Sequence, residues 1–390
     1  MLVYIHVPFC RTKCRYCAFH SRPLGAGTLP AATADVRRYW DLLFRELALW
    51  AERLPGTPVE SVFFGGGTPS LLPPSWLQEV LDALRHNFAL APGAEISMEA
   101  NPESLPDARV AQAYLQAGIN RLSLGLQALD DTQLRRLGRP HSAADGLRAM
   151  AAAREAGCRN LSVDLMWALP GQHAAQWRQT LTTICRLHPD HVSAYGLTRE
   201  EGTPLDADCA CGRLHLPPDE EQDRMFHEGA DLLEAHGLYQ YEISNFARPG
   251  RECRHNQGYW EGADYLGMGP AATSTLRGRR WTQPADLNAW AARLAARTPD
   301  ADAEGLSPAI RLRETLMLRL RTTRGLPLAL YTSLTGRHLT QDMPDLLSAL
   351  QQAGLATLTP DHLRLTRDGM LVSNAILARF FAETDGLALP

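Results

Sequence analysis

The sequence predicts an α/β protein: a partial (β/α)6, TIM-like barrel followed by a small winged-helix-like α+β domain. Three observations predict it. Six short apolar runs alternate with long amphipathic stretches, each loop carrying chemically distinctive residues follows one of those runs, and beyond Asp300 the pattern changes to helix, helix, hairpin, helix. Strand and helix in alternation imply a parallel sheet, because a strand returns parallel to its predecessor only through a crossover long enough to hold a helix.

The runs 2–7, 61–64, 95–99, 121–124, 161–165 and 191–195 read as strands. Between them, 36–54, 76–87, 108–117, 143–156 and 175–187 place apolar residues three and four apart, the repeat of a helix with one buried face. Barrels of this kind gather their chemistry at the carboxyl ends of the strands. There fall the cysteine-rich loop after the first strand, Gly65-Gly66-Gly67-Thr68-Pro69 after the second, and Glu99, Gln127 and Asp164. A further helix, 219–236, and a strand follow, after which the alternation is expected to stop; 252–275 is rich in Gly, Tyr and Trp. In the last part, 309–320 and 344–353 read as helices, 355–358 and 362–365 as a hairpin around Thr359-Pro360-Asp361, and 374–381 as a final helix. The chain thus divides into a core barrel (1–212), a barrel extension (213–300) and a C-terminal domain (301–390).

Composition narrows the partners. The 390 residues are 45% apolar with a net charge of -4, so neither a nucleic acid nor an anionic membrane is expected as the main partner. The C-terminal domain interleaves its arginines with acids and shows no basic stripe. No apolar run approaches the ~20 residues of a membrane span, and the chain opens on a strand pattern without a basic leader. Eight cysteines are too sparse for a disulfide scaffold, and thiolates that hold metal suit a reducing compartment. The expectation is a cytoplasmic protein.

Three cysteines stand within eight residues, in Cys10-Arg-Thr-Lys-Cys14-Arg-Tyr-Cys17. Four thiolates close a zinc site or saturate a four-iron cluster; three leave one metal with a free position at which a small molecule can bind and react. A zinc site completed by His6 or His20 is the alternative. Glycines in the 65–67 run remove the side chains that would keep backbone amides and carbonyls away from a ligand. Alone the triplet reads as a turn; one strand after the cysteine loop it becomes a candidate binding loop.

The C-x-x-x-C-x-x-C spacing, taken with that glycine loop, resembles the radical S-adenosylmethionine superfamily. The resemblance implies a radical SAM barrel in which Cys10, Cys14 and Cys17 bind three irons of a 4Fe-4S cluster, the amino and carboxylate groups of S-adenosylmethionine chelate the fourth, and a low-potential donor supplies an electron. Tyr4-Ile-His-Val-Pro-Phe-Cys10, Phe64-Gly-Gly-Gly-Thr-Pro-Ser70, Met98-Glu-Ala-Asn-Pro102, Arg121-Leu-Ser-Leu-Gly-Leu-Gln127, Leu137-Gly-Arg-Pro-His141 and Val163-Asp-Leu-Met-Trp-Ala-Leu-Pro170 further resemble one branch. That branch comprises the oxygen-independent coproporphyrinogen III dehydrogenases (oxidases) and their relatives, the HemW-type haem chaperones. By this similarity Tyr4, Tyr16, Gly66, Gly67, Thr68, Glu99, Gln127, Arg139 and Asp164 contact S-adenosylmethionine. The chemistry agrees: Glu99 and Asp164 can accept from ribose hydroxyls or an ammonium, Gln127 can donate and accept, and Arg139 can grip a carboxylate with two hydrogen bonds.

The resemblance also implies that the dehydrogenases carry an extra cysteine two residues past the third ligand, and an N-terminal extension. Here Phe19 holds that position and nine residues precede Cys10, which favours the chaperone branch. So does His255-Asn-Gln-Gly-Tyr-Trp260, similar to an H-N-x-x-Y-W signature linked to haem binding. By it His255 is the expected axial ligand, with Tyr259 and Trp260 offering flat apolar area. If the backbone is extended there, Cys253 points to the same side as His255 and becomes, on spacing alone, a candidate for iron or haem attachment. Cys209 and Cys211, in a polar loop, are too few for a second cluster; Cys158 and Cys185 read as packing residues. Thr273 stands where many relatives place a histidine, which puts in question any porphyrin contact or proton transfer by that loop. The expected function is a haem chaperone that passes haem to an acceptor protein; the alternative is a radical enzyme acting on coproporphyrinogen III or another macrocycle.

Overall fold

The structure is a computed structural model and describes residues 1–25, 30–385 and 387. Strand β1 (Leu2–Val7) is followed by α1 (Ala34–Arg53), β2 (Pro58–Gly66), α2 (Pro74–Asn87), β3 (Ala89–Ala100), α3 (Ala108–Gln116) and β4 (Arg121–Gln127). Helices α4 (Asp131–Leu137) and α5 (Ala143–Glu155), then β5 (Leu161–Trp167), α6 (Ala174–Cys185) and β6 (His191–Gly196), complete the series. The six strands pair in chain order, each parallel to the next.

Successive side chains on a strand point to opposite faces. Val3, Ile5 and Val7 of β1, Val62 and Phe64 of β2, Leu122 and Leu124 of β4 and Val163 and Leu165 of β5 are buried in the apolar core that the helices cover. Their alternates are polar, with Tyr4 and His6, Glu95, Ser97 and Glu99, Arg121 and Ser123, Ser162 and Asp164, and His191 and Ser193 on the inner face. The barrel interior is therefore a column of hydrogen-bonding groups, and its upper end opens to solvent. Local signals start the helices: at α5 the Ser142 hydroxyl accepts from Asp145 N–H (3.2 Å) while the Asp145 carboxylate accepts from Ser142 N–H (2.8 Å).

Past α7 (Pro204–Ala210) and α8 (Asp219–Ala235), β7 (Tyr239–Gln240) and β8 (Asn245–Ala247) add antiparallel strands at the β6 edge. The alternation does not stop there. After α9 (Arg254–Glu261), β9 (Tyr265–Met268) lies parallel beside β1, and β10 (Thr273–Leu276) and β11 (Arg279–Thr282) extend that edge. Four residues with a glycine among them carry too little pattern to announce a strand. Cys209 lies on α7 rather than in a loop, behind a Thr203 cap that accepts from Asp206 N–H. Cys253 is the N-cap of α9, so the extended backbone expected at 253–255 is replaced by a helix start, and residues two apart on a helix do not share a face.

Helix α10 (Leu287–Ala295) packs Trp290 into the barrel core. The C-terminal part holds α11 (Pro308–Arg319), α12 (Leu328–Thr335), the short α13 (Leu339–Asp342), α14 (Pro344–Gln352), and a small antiparallel sheet of Leu326–Pro327, His362–Leu365 and Ala356–Leu358, closed by the helix Ser373–Thr384. Leu312, Leu316, Tyr331, Leu347, Leu363 and Phe380 form its own core, which Phe226 of α8 joins from the barrel side. Residues 386 and 388–390 of the expected third segment lie outside the described residues. No helix among the described residues is long and apolar enough to cross a membrane.

Candidate functional site

The cysteine loop leaves β1 and folds back on itself. Arg22 N–H donates to Pro8 C=O (2.7 Å) and Leu24 N–H to Cys10 C=O (2.8 Å). Within the loop the Lys13 ammonium donates to Phe19 C=O (2.5 Å) and Ser21 Oγ (3.1 Å). From outside, Arg15 N–H reaches Leu137 C=O (3.0 Å), and the Arg15 side chain pairs with Asp208 of α7. His6 ties the loop to β1: its Nε2 lies 2.9 Å from His20 C=O and its Nδ1 3.0 Å from the Tyr4 hydroxyl. With both ring nitrogens engaged in hydrogen bonds, His6 is not placed to complete a zinc site. Among the described residues no group of three or more His, Cys, Asp or Glu is arranged to hold a single metal ion.

The thiols of Cys10, Cys14 and Cys17 line one cavity of about 520 Å³ at the carboxyl ends of the strands. Burial raises the pKa of Cys10 and Cys17. Donors nevertheless aim at two of the sulfurs: Thr68 Oγ1 at Cys10 Sγ (3.7 Å) and Arg139 Nη1 at Cys14 Sγ (3.6 Å). Such donors favour thiolate and stabilise charge on a bound cluster. Three soft ligands facing an open cavity, with hydrogen-bond donors behind them, fit a cluster that keeps one iron available.

The glycine loop closes the same cavity from β2. Gly66 adopts φ 105°, a region L side chains rarely enter, and a Cβ there would lie 2.4 Å from the His6 ring. At Gly67 a Cβ would come within 2.5 Å of Phe9 C=O. Gly66 N–H donates to the Glu99 carboxylate (3.0 Å). Burial, with the Asp164 charge adding, pushes Glu99 up to about 7, while that N–H opposes the shift. Asp164 is raised too, chiefly by burial, and accepts from Ser123 Oγ (3.0 Å). Gln127 sits at φ 66° beside a register irregularity in the β4–β5 pairing, a strained turn of the kind found where backbone is shaped around a ligand.

Of the residues singled out in the sequence, Cys10, Cys14, Cys17, Tyr16, Gly66, Gly67, Thr68, Glu99, Gln127, Arg139 and Asp164 line this one cavity. Tyr4 stands behind it, bonded to His6. Sequence reasoning missed Asn101, whose Nδ2 donates to Thr68 Oγ1 (3.0 Å) and whose Oδ1 accepts from Arg139 Nη1 (3.2 Å). Its place two residues past Glu99 was the available signal. Tyr195, on the inner face of β6, was missed likewise.

His255 is at the other end. Helix α9 packs under the amino ends of β2 and β3, where Glu95 accepts from the backbone N–H groups of His255 and Arg254 (both 3.2 Å) and from Cys253 Sγ (3.4 Å). His255 Nδ1 lies 2.8 Å from Ser61 Oγ and Nε2 3.0 Å from the Tyr259 hydroxyl. The ring is 1% exposed, and burial pushes its pKa down to about 3. Bonding to haem iron would cost one of those two hydrogen bonds and require α9 to move. Cys253 is fully buried, its thiol pushed up to about 12, and faces Glu95 rather than an open site. Cys211 is exposed at the end of α7, and Cys158 and Cys185 are buried in the core. Thr273 pairs with Thr282 (2.9 Å) across β10 and β11 and does not line the cavity.

Comparison with known proteins agrees with this geometry. Residues 4–184 match the family model for the radical SAM superfamily, and residues 306–372 the HemN C-terminal domain. Proteins named heme chaperone HemW are similar over almost the whole chain. The one from Synechocystis sp. is 36% identical, covering 98% of this chain and 96% of its own length. That from Escherichia coli is 34% identical, covering 98% of each. The structure of coproporphyrinogen III oxidase (HemN) from Escherichia coli has the same fold, with a TM-score of 0.81 at 22% identity over 99% of this chain and 90% of that one. The chain belongs to the radical SAM superfamily and, within it, to the family that unites the HemW-type proteins with the coproporphyrinogen III oxidase-like proteins.

Proposed function

We propose that the chain is a haem chaperone that binds a 4Fe-4S cluster, S-adenosylmethionine and haem and hands haem to an acceptor protein in the cytoplasm. The observation that carries the reading is the gathering of three cysteines, the glycine loop and the strand-end groups in one cavity, in a chain similar over its full length to proteins named heme chaperones. Cys10, Cys14 and Cys17 would hold the cluster. Gly66, Gly67 and Thr68 would bind the amino acid end of S-adenosylmethionine, with Tyr16, Glu99, Gln127, Arg139 and Asp164 around its remainder and Tyr4 fixing His6 behind. When bound, the cluster supplies an iron with an open position and an electron able to cleave a sulfonium. Thr68 and Arg139 hold their donors on the sulfurs, and Glu99 holds Gly66 N–H in place. His255 remains the proposed haem ligand, reached by displacement of α9.

The test is anaerobic purification and reconstitution, with iron and sulfide analysis and visible spectra before and after haem, then addition of reductant, S-adenosylmethionine and coproporphyrinogen III. Stoichiometric haem uptake, its transfer to an acceptor and no vinyl product are expected. Conversion of coproporphyrinogen III to a vinyl product would replace the chaperone reading with that of a radical dehydrogenase fed by a low-potential electron donor.

A further inference from the structure

Helix α9, which carries His255, is held by two parts of the molecule. It packs against β2 on the barrel floor and against α11 of the C-terminal domain. On the barrel side the fit is close, since a Cβ at Gly258 would lie 2.6 Å from Leu2 Cδ1 of β1. The helix cannot move deeper, so it presents His255 to a ligand only by moving off the floor.

One segment of the C-terminal domain, residues 319–324 between α11 and the small sheet, holds both ends of this helix. At the carboxyl end the Arg319 guanidinium donates to Glu261 C=O (3.0 Å), and Arg324 pairs with the Glu261 carboxylate (2.9 Å). The last carbonyls of a helix lack partners within it and form its negative end, to which Glu261 adds a full charge; the two arginines answer both. At the amino end the hold is relayed through Tyr241. Its C=O accepts from Thr323 N–H and Thr323 Oγ1 (both 3.1 Å), and next to it Ile243 N–H donates to Arg321 C=O (2.9 Å). The Tyr241 hydroxyl in turn accepts from Cys253 N–H at the helix start (3.3 Å). None of these groups lines the cavity assigned to the cluster and S-adenosylmethionine.

We propose that the 319–324 segment is a gate: docked, it clamps α9 to the floor and keeps His255 closed to haem, and release of Glu261 by Arg319 and Arg324 lets the helix move out. The inference rests on the haem reading above and adds what controls access to the ligand. Arg324 is exposed and Arg319 half-buried. Ion pairs so placed are weak and screened by salt, so the clamp can open while the barrel stays folded. The open form is then a minor state, and haem affinity and uptake rate both scale with its population.

Full-length reconstituted protein is compared as wild type, Arg324→Ala, Glu261→Ala, Arg319→Ala/Arg324→Ala and Arg337→Ala, the last breaking a pair with Asp342 wholly inside the C-terminal domain. Hydrogen exchange of the α9 amides reads the opening, and stopped-flow Soret absorbance reads haem uptake. The two single variants at the ion pair are expected to speed both about threefold and the double variant about tenfold, with Arg337→Ala at wild-type values. Raised salt should speed α9 exchange in wild type and much less in the double variant. Exchange in the double variant equal to wild type, or an equal rise in Arg337→Ala, overturns the clamp. Faster exchange without faster haem uptake overturns the gate, and in each of these cases haem uptake itself stands. Wild-type protein that takes up no haem overturns the functional reading, and the gate with it.

Discussion

Asn101 accepts a hydrogen bond from Arg139 through Oδ1 at 3.2 Å, and by its other end, Nδ2, it orients Thr68 at 3.0 Å. Since Arg139 and Thr68 are the donors aimed at Cys14 and Cys10, one amide governs the hydrogen bonding of two sulfurs. Donors to the sulfurs stabilise the added negative charge of a reduced cluster. Asn101→Ala is expected to make the reduction potential more negative while iron and sulfide content stay unchanged. Redox titration of the reconstituted protein checks this, and an unaltered potential would show that Arg139 and Thr68 hold their positions without Asn101.

Gly66→Ala places a methyl group against the His6 ring at a positive φ. The cost of such backbone strain is about 1–3 kcal/mol, before any displacement of His6. A lower midpoint in denaturant is expected, together with loss of S-adenosylmethionine binding, measured by equilibrium dialysis. Retention of both at wild-type values would mean that the loop adjusts without the left-handed turn.

Glu46 on α1 is fully buried, accepting from Gly269 N–H (2.8 Å) and Gln283 Nε2 (2.7 Å), and burial pushes its pKa up to about 8. A folded pKa above the unfolded value of 4.5 favours the protonated folded state. Its contribution is complete below pH 4.5 and is lost as pH rises through about 8. Wild-type protein should therefore lose stability from pH 5 to pH 9 that Glu46→Gln, already neutral, does not lose. Denaturant titrations at both pH values decide it; parallel losses would exclude Glu46 as the source.

Tyr259→Phe removes the hydroxyl partner of His255 Nε2. If haem reaches His255 by displacing α9, freeing that nitrogen should speed haem uptake in stopped-flow absorbance, whereas His255→Ala should remove the axial signature. A rate equal to wild type in Tyr259→Phe would place the barrier elsewhere in the α9 packing.

The cysteine spacing, the glycine run and the strand-end carboxylates were legible because their positions in the chain already state the chemistry and the barrel rule states where they meet. Asn101 and Tyr195 were not, since one is a short amide in a turn and the other an alternate residue on a strand, and each gains its role only from neighbours distant in sequence. Thr273 stood out by the family resemblance, yet its hydroxyl pairs with Thr282 within the sheet extension, away from the cavity.

What the amino-acid order determined by itself was the alternation of elements and the three-thiolate motif, both products of local period and spacing. The tertiary structure decided which end of the barrel each later segment closes. Glu95 and Ser61, inward-facing and level with Leu2 at the start of β1, draw the helix carrying Cys253 and His255 to the floor. The cavity is left to the residues at the opposite ends of the same strands. Burial of unpaired polar groups is costly, so the helix settles where its donors and acceptors find partners, a choice made by contacts that no local pattern encodes.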